Sequence, residues 1–293
     1  MKIVKYKGGL GNQMFQYAFA LMLKVKYNQQ VKMDLSAYQH NGNLTQIPKI
    51  NKMKVSLEKA SSKECAKCCL YPQKDSASKW LYRSNILTEA LFNKKYYYEF
   101  NCKFKNIDTL LRYDYYDGYW QSWKYVHSVE PILRKAFIPL MPLAKKTEED
   151  LKQIKKANAI FIGVRKGDYT STLRTKWEYG SFDSIYYRSA MNYICKRLVN
   201  PIFYIFSDDI EWVKKYLDFS GFNVVYRDKD KQTDDFEELV IMSHCKHAII
   251  VNSTFHWWGA WLISNPEKII IAPLEWFANK KEIDIIPPGW IRF

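Results

Sequence analysis

The sequence has 293 residues, of which 47% are hydrophobic and 26% charged, so it is long enough for two core-bearing domains and is not disordered in composition. Its formal net charge of +15 favours an anionic partner such as a phosphorylated substrate or an acidic membrane face. No zinc-finger or helix-turn-helix pattern concentrates this charge, so we expect no nucleic-acid partner. A solvated basic surface is the alternative interpretation.

The N-terminal residues enter a strand pattern almost at once, at Lys2, so we expect no signal peptide. No apolar run approaches the roughly 20 residues of a membrane-spanning helix. We therefore expect a cytoplasmic protein, with peripheral attachment to the anionic inner membrane as a further option. Cys65-x-x-Cys68-Cys69 lacks the second cysteine pair of a structural zinc site, so we expect reduced cysteines and no metal.

The first predicted elements form a βαβ-like unit. A strand at 3–6 leads through a Gly-rich turn at 8–11 into a helix at 12–26, and a second strand follows at 31–34. The helix shows one apolar stripe at helical spacing. Residues 40–110 have poor periodicity and are interpreted as a substrate-facing insertion, to which no chemistry is assigned.

The second half alternates regularly. Residues 142–158 predict an exposed helix with Thr147 as its N-cap, and the domain boundary is placed near 155, giving domains 1–155 and 156–293. Strands are predicted at 159–164, 202–206, 223–226, 248–251 and 268–272, and helices at 182–199, 210–218, 235–246 and 255–264. This alternation predicts an α/β fold with a parallel sheet that binds ligands at the carboxyl ends of its strands.

The Gly-rich turn imitates a dinucleotide fingerprint, because Gly9-x-Gly11 follows a strand and Asp34 ends the next one. The third glycine of that fingerprint is replaced by Met14, which argues against NAD. A helix N-terminus beside Asn12 and Gln13 remains, as a site for a phosphate or a sugar hydroxyl.

Charged residues follow two predicted strands. Arg165 and Lys166 come after the strand at 159–164 and suit phosphate oxygens, whereas a surface ion pair of Arg165 with Asp168 is the alternative. Asp208 and Asp209 follow the next strand. These carboxylates either accept hydrogen bonds from a ribose or guanine or cap the next helix.

The turn Asn252-Ser253-Thr254-Phe255 joins a strand to a helix and presents hydroxyls and backbone N–H groups to an anion. Simple helix capping by Ser253 or Thr254 is the alternative. Capping alone does not explain the three tryptophans that follow within five residues, Trp257, Trp258 and Trp261.

Five segments, taken in order, resemble the α-1,2-fucosyltransferases of glycosyltransferase family 11. They read Gly-Gly-Leu-Gly-Asn-Gln-Met-Phe-Gln-Tyr-Ala at 8–18, Gly-Tyr-Trp-Gln-Ser-Trp-Lys-Tyr at 118–125, Val-Arg-Lys-Gly-Asp-Tyr at 164–169, Phe-Ser-Asp-Asp-Ile-Glu-Trp at 206–212 and Asn-Ser-Thr-Phe-His-Trp-Trp-Gly-Ala-Trp-Leu at 252–262. The resemblance implies a GT-B-like fold of two Rossmann-like domains with parallel sheets facing a cleft. It also implies inverting, metal-independent transfer of L-fucose from GDP-fucose to the 2-hydroxyl of a galactose-terminated glycan, in bacterial surface glycan synthesis and without a cofactor.

The resemblance also assigns roles to residues. Arg165 is expected to hold the donor diphosphate, Ser253, Thr254 and Phe255 to surround its β-phosphate, Asn12 to approach from the other domain and Glu238 to bind guanine. The full expected donor set is Asn12, Arg165, Lys166, Asp208, Glu238, Asn252, Ser253, Thr254 and Phe255, and the expected acceptor-side set is Gln13, Tyr119, Gln121 and Lys124. Arg165 and Asp168 are the expected catalytic residues. Asp168 and Asp117 are candidate general bases, although Asp168 alternatively orients Arg165.

The sequence departs from the family pattern at several positions. Gly163 stands at a usual His, Lys166 at a second Arg, Glu238 at a commoner Asp, Trp123 at a usual Glu and His256 at a usual Ser. We expect these changes to affect donor contacts and acceptor choice rather than the reaction.

Two other functions fit parts of the sequence. Asp228-Lys229-Asp230 satisfies the Asp-x-Asp pattern of metal-dependent GT-A transferases, but its Lys/Asp-rich setting is typical of a solvated loop. A non-catalytic sugar- or nucleotide-binding module would explain the charge and the aromatic content.

Overall fold

The computed structural model describes residues 1–40, 43–44, 48–69, 79–166, 183–227, 234–277 and 284–293. The chain forms two compact units. Unit 1 comprises Met1–Leu140 and Ile283–Ile285, and unit 2 comprises Met141–Glu282 and Ile286–Phe293.

Unit 1 is built on a five-stranded sheet in the order β5-β2-β1-β7-β6, in which every pair of neighbours is parallel. A separate two-stranded antiparallel ribbon pairs β3 with β4. The elements are β1 (Lys2–Lys5), α1 (Leu10–Lys26), β2 (Val31–Asp34), β3 (Gln39–His40), β4 (Asn43–Leu44), β5 (Glu58–Lys59), α2 (Ser62–Ala66), α3 (Lys79–Phe92), β6 (Tyr96–Tyr98), α4 (Ile107–Leu110), β7 (Tyr115–Asp117), α5 (Trp123–Ser128) and α6 (Glu130–Ala136).

The core of unit 1 lies between α1 and the sheet. The predicted apolar stripe of α1 is buried except for Val25 near the end of the helix, which is 46% exposed, and every residue of β1 is buried. Phe19 of α1 stacks on Trp120 with 3.8 Å between ring centroids. Because Trp120 follows β7, this contact fixes the chain just beyond the carboxyl end of that strand.

Unit 2 is built on a six-stranded parallel sheet in the order β10-β9-β8-β11-β12-β13. Its elements are α7 (Lys145–Lys156), β8 (Asn158–Val164), α8 (Ser184–Cys195), β9 (Pro201–Ser207), α9 (Ile210–Tyr216), β10 (Val224–Tyr226), α10 (Asp235–Ser243), β11 (His247–Ile249), α11 (Thr254–Leu262), β12 (Ile270–Ala272) and β13 (Ile291–Arg292). The central strands are apolar and almost fully buried, as expected for a sheet covered on both faces.

The predicted α/β class with two parallel sheets, the organisation that a GT-B-like fold requires, is confirmed. Each unit alternates parallel strands with helices, as a Rossmann-like domain does. No helix within the described ranges is long and apolar enough to cross a membrane.

The structure divides the chain earlier than the predicted boundary at 155, between Leu140 and Met141. The reason is that α7 packs on unit 2. Thr147 is not the N-cap of this helix: Ala144 holds that position, while Thr147 is buried in the first turn and its hydroxyl bonds Glu237 of α10 at 3.1 Å. Glu237 also accepts the Ala144 N–H at 2.8 Å.

The predicted insertion at 40–110 contributes part of the unit 1 sheet. Its described residues include β5 and β6, which form the two edges of that sheet, together with α2 and α3. The C-terminal residues 285–290 lead into β13, which extends the unit 2 sheet beside β12.

Candidate functional site

The candidate donor site lies at the carboxyl ends of three neighbouring strands of unit 2. From β8 the chain adds β9 and β10 on one side, and later adds β11, β12 and β13 on the other. The strand order therefore reverses between β8 and β11. Parallel sheets bind ligands outside the carboxyl ends of their strands at such a switch point.

Two cation–carboxylate pairs join the ends of β8 and β9. The Arg165 Nε lies 3.8 Å from the Asp208 Oδ2, and the Lys166 Nζ lies 2.7 Å from the Asp209 Oδ2. The Lys166 backbone N–H also donates to Asp208 at 2.9 Å. Arg165 therefore pairs with Asp208, which follows the adjacent strand β9, and its predicted alternative partner Asp168 lies outside the described residues.

The two adjacent carboxylates have different roles. Asp209 caps α9 by accepting the Trp212 N–H at 2.9 Å. Its hydrogen bond with Lys166, followed by this backbone bond, lowers the pKa of Asp209. The capping interpretation thus holds for Asp209. Asp208 instead forms the ion pair with Arg165 and accepts the Lys166 backbone N–H.

The turn at 252–255 follows β11, the other neighbour of β8. Ser253 is the N-cap of α11 and accepts the His256 N–H. Asn252 is buried and donates from its side chain to the Trp276 carbonyl at 3.1 Å. Thr254 and Phe255 are half-buried in the first turn of α11. The predicted strand-to-helix turn is therefore present, with both Asn252 and Ser253 holding its shape.

The tryptophans of α11 pack against one another and against the C-terminal segment. Trp257 and Trp258 lie edge to face at 4.9 Å, and Trp257 also contacts Trp290 at 5.3 Å. Trp261 is buried beside Trp258 at 5.2 Å. Packing of α11, rather than stacking on a planar ligand, explains these tryptophans.

An imidazole from α11 occupies the space beside Gly163 of β8. A Cβ added at Gly163 would lie 2.8 Å from the His256 Cδ2 and closer still to Cγ and Nδ1. His256 is only 4% exposed, and its buried Nδ1 has no hydrogen-bond partner within the described part of the chain. Burial, and then the Arg165 cation, lower the pKa of His256 to about 3 against the opposing effect of Asp208.

This contact is the direct link between the two predicted halves of the donor site. It places the first turn of α11 against the end of β8, next to Arg165. The two residues involved, Gly163 and His256, are both positions where the sequence departs from the family pattern. The two departures thus meet in space: the residue without a side chain accommodates the large one.

The other predicted site residues of unit 2 are Glu238 and three aspartates. Glu238 is half-buried in the first turn of α10, next to the structural residue Glu237. Asp168, Asp228 and Asp230 lie outside the described residues. Within the described ranges, no group of three or more His, Cys, Asp or Glu side chains is arranged to hold a metal ion.

Unit 1 has its own switch point, between β1 and β7. The Asn12 side chain accepts a hydrogen bond from Gln121 at 2.9 Å, which joins the turn after β1 to the chain after β7. Gly8 has a φ of +79°, and an added Cβ there would lie 2.6 Å from the Asn12 Nδ2. Asn12 and Gln121 are therefore brought together, as a site shared by these two segments requires.

The remaining predicted acceptor-side residues differ in accessibility. Gln13 is buried, donating to the Gly8 carbonyl at 3.0 Å and accepting the Ile50 N–H at 3.0 Å, so its amide is structural. Lys124 pairs with Asp284 at 2.7 Å. Tyr119 is 39% exposed, with its ring centroid 4.9 Å from the Lys7 Nζ. Of these three side chains, Tyr119 is the best placed to meet a ligand.

Asp117 is fully buried beneath these turns. It forms ion pairs with Lys5 and Lys7 and accepts a hydrogen bond from the Tyr96 hydroxyl at 2.7 Å. Burial disfavours its ionised form, but the two lysines outweigh that effect and lower the pKa of Asp117 to about 2. Asp117 is therefore a structural anion and a poor general base.

Glu99 is a residue that the sequence interpretation missed. It follows β6, and its Oε2 accepts the backbone N–H groups of Tyr119 and Trp120, each at 2.8 Å. The signal was present in the sequence: the aromatic run Tyr96–Tyr98 has strand character and is followed at once by a carboxylate. Poor helical periodicity in its neighbourhood concealed it.

Comparison with known proteins identifies the family. The profile of glycosyl transferase family 11 matches residues 1–293. The chain belongs to this family, as its motifs predicted, and is a glycosyltransferase.

Three relatives illustrate the range of the family. An alpha-1,2-colitosyltransferase of Escherichia coli is 31% identical, over 99% of this chain and 98% of its own. The O-antigen biosynthesis glycosyltransferase WbnK of Escherichia coli is 28% identical, over 97% of this chain and 98% of its own. Human galactoside alpha-(1,2)-fucosyltransferase 1 is 27% identical, over 50% of this chain and 42% of its own.

Proposed function

We propose that this protein transfers L-fucose from GDP-β-L-fucose to the 2-hydroxyl of a terminal β-galactoside, with inversion at the anomeric carbon and without a metal or other cofactor. The product is an α-1,2-linked fucoside of a bacterial surface glycan. The observation that carries this proposal is the family match over the whole chain, together with relatives whose names specify α-1,2 transfer.

The geometry of unit 2 supports a diphosphate donor. Arg165 and Lys166 lie at the end of β8, and the N-terminus of α11 follows the neighbouring strand β11. A helix N-terminus and nearby cations both favour phosphate oxygens. As GDP leaves, negative charge develops on the β-phosphate, so fixed donors at that position stabilise the transition state more than the ground state.

The proposal is tested by incubating the purified protein with GDP-fucose and a panel of β-galactosides. The expected product carries fucose on the galactose 2-hydroxyl in α configuration, which NMR of the product establishes. The same yield is expected in EDTA. Transfer to another hydroxyl, or activity that EDTA abolishes and manganese restores, would contradict the corresponding part of the proposal.

Arg165→Ala tests the donor site. Removing one preorganised donor from an oxyanion-type site commonly lowers turnover by about 10²–10³-fold. We expect a loss of at least that size in Arg165→Ala with an unchanged thermal unfolding midpoint. Arg188→Ala, which removes an ion pair with Asp218 on the surface of the same unit, is the matched control and should keep its turnover. Near-normal turnover in Arg165→Ala would remove this residue from the donor site.

A colitosyl donor is the second candidate. It is favoured by the 31% identity, over 99% of the chain, to an alpha-1,2-colitosyltransferase. The same acceptor panel should therefore be run with both GDP-sugars. A higher kcat/KM with the colitosyl donor would identify colitose as the transferred sugar. The proposed α-1,2 linkage and the proposed diphosphate site would be unaffected.

A further inference from the structure

A half-buried carboxylate, Glu99, lies at the carboxyl end of the unit 1 sheet and is not among the residues that the sequence motifs assign. It directly follows β6, and its backbone N–H donates to the Asp117 carbonyl at the end of the neighbouring strand β7. Glu99 thus lies beside the same turns that carry Tyr119 and Gln121. Ligands of parallel sheets bind at this edge.

The turn at 118–120 is shaped around one oxygen of this carboxylate. The N–H groups of Tyr119 and Trp120 converge on the Oε2, each at 2.8 Å. Successive backbone N–H groups of this kind form an anion-binding nest. Gly118 has no room for a side chain, because a Cβ there would lie 2.6 Å from the Glu99 Cβ and 2.8 Å from the Oε2.

Backbone strain marks the same turn. Trp120 has a φ of +56°, which is uncommon for a bulky residue and costs free energy. Its stacking on Phe19 helps to hold this conformation. The nest is therefore maintained by the core of unit 1, which fixes the direction of the carboxylate.

The second oxygen of Glu99 is different. Within the described part of the chain, the Oε1 makes no hydrogen bond and forms no ion pair. Tyr119, whose backbone N–H bonds the Oε2, is 39% exposed. Small-molecule sites are usually lined by apolar and aromatic side chains with a few convergent polar groups.

We propose that Glu99 is the catalytic base of the transfer, with Oε2 held in the nest and Oε1 accepting the proton of the acceptor hydroxyl. This inference rests on the proposed function. As the acceptor oxygen forms its bond to the anomeric carbon, its proton moves to Oε1. The bond between that carbon and the β-phosphate oxygen breaks, and its electron pair leaves with GDP.

The proton affinity of Glu99 suits this role. Burial raises the pKa of Glu99 to about 7, against the opposing effects of the Trp120 and Tyr119 N–H groups and of the cations Lys7 and Lys105. The other titratable groups that face it are the phenols of Tyr97 and Tyr125. A base with a pKa near the working pH is the most effective. Asp117 is held by two lysines and is far weaker.

Glu99→Gln separates catalysis from structure. The amide oxygen of Gln keeps an acceptor for the two N–H groups of the nest, but the side chain takes up no proton near neutral pH. We expect kcat to fall by about 10²–10⁴-fold, the usual contribution of a positioned base. GDP affinity, measured by calorimetry, and the near-ultraviolet circular dichroism of the tryptophans should stay unchanged.

The pH profile supplies a second readout. In the wild type, kcat/KM should rise with pH through about 7 as Glu99 ionises. In Glu99→Gln this rise of kcat/KM with pH should disappear. Formate should restore part of the turnover of Glu99→Ala, in which the carboxylate is missing. Glu130→Gln, which weakens a surface ion pair with Arg134 in the same unit, is the control and should retain wild-type turnover and pH profile.

The outcomes distinguish the two proposals. Suppose that the wild type transfers sugar, but that Glu99→Gln keeps more than about one third of the wild-type turnover or still shows the rise of kcat/KM with pH. Either result overturns the role of Glu99 as the base and leaves the proposed function standing. Loss of the tryptophan signal together with activity in Glu99→Gln, without rescue of Glu99→Ala by formate, assigns Glu99 to structure only and also overturns it. A wild type that transfers to no acceptor overturns the proposed function, and the base with it.

Discussion

The pair Gly163 and His256 shows how one residue without a side chain determines a site. Separately, each looks like the loss of a usual family residue. Together they form one packing unit, in which the imidazole from α11 fills the space next to β8. The glycine is needed here for its small volume, since its φ is not in the left-handed region.

Gly163→Ala should destabilise the protein. Overpacking by one methyl group in a closed core typically costs about 1–3 kcal/mol. His256→Ser removes the imidazole, so the double variant should be more stable than the sum of the single effects. Urea unfolding of the four proteins measures this coupling. Gly289→Ala is the control, because an added Cβ there meets no atom within 4 Å. Strict additivity would show that the two positions do not share this space.

The neutral imidazole also predicts a dependence of stability on pH. The pKa of His256 in the folded protein is about 3, below its ordinary value of 6.5. Between these two values, His256 is protonated in the unfolded chain and neutral in the folded one. The stability is fully present above pH 6.5 and is lost as the pH falls toward 3. By pH 5 the loss should reach about 2 kcal/mol.

His256→Gln should lack this component of the pH dependence. The test compares free energies of unfolding at pH 7 and pH 5 in the wild type and the variant. Arg165 and Asp208, the charged groups that act on the ring, are present in both proteins. Equal losses in the two proteins would mean that His256 is not buried in its neutral form.

At the scale of elements, the strands and helices of unit 2 follow the predictions within a few residues. β8, β9 and α9 are close to the predicted 159–164, 202–206 and 210–218. These elements could be predicted from the sequence because buried strands are short apolar runs and each is followed by a polar turn. Their carboxyl-end residues could be grouped into one site for the same reason.

The strands of unit 1 were harder to predict from the sequence. Its strands β5 and β6 have two and three residues, too few to show an alternating pattern. β5 contains the exposed residues Glu58 and Lys59, which give no apolar signal at all. Glu99 was missed with the strand that precedes it. Its role depends on a turn more than fifteen residues later in the chain, and such long-range pairing is invisible to local propensity.

The position of the boundary between the units depends on which unit α7 belongs to. The helix is amphipathic, and the sequence predicts it as an exposed helix with the domain boundary near its end, at 155. Its buried residues Leu151 and Ile154 nevertheless lie against unit 2, together with the Thr147–Glu237 hydrogen bond. A sequence pattern shows that a helix has a buried face, but not which core receives it.

Ile154→Ala should therefore loosen unit 2. Ile154 is 1% exposed, and truncating a buried Ile to Ala typically costs about 2–5 kcal/mol. Hydrogen exchange with mass spectrometry should become faster in β8 and α10, while β1 and β7 of unit 1 keep their protection. Lys152→Ala, on the exposed face of the same helix, is the control. Faster exchange confined to unit 1 would assign α7 to the other core.

At the scale of the whole molecule, the excess of cations is larger than the donor site needs. The chain has 45 Lys and Arg against 30 Asp and Glu, and only Arg165 and Lys166 are assigned to a phosphate. The C-terminal half of α7 exposes Lys152, Lys155 and Lys156, whereas its first turns expose Glu148 and Glu149. The lysine cluster at the end of α7 is attracted to an acidic lipid surface by about 1 kcal/mol for each basic residue near that surface.

The protein should therefore bind anionic vesicles in a salt-dependent manner. Sedimentation with phosphatidylglycerol-containing vesicles should be extensive at low ionic strength and should largely disappear near 1 M salt, where the Debye length falls to about 3 Å. Vesicles of phosphatidylcholine alone should not bind, because the attraction requires lipid charge. Reversing Lys152, Lys155 and Lys156 to Glu should weaken binding while transfer to a water-soluble galactoside continues. Equal binding to neutral vesicles would show that the attachment is apolar rather than electrostatic. Unchanged binding of the charge-reversed variant would show that the contact does not involve α7.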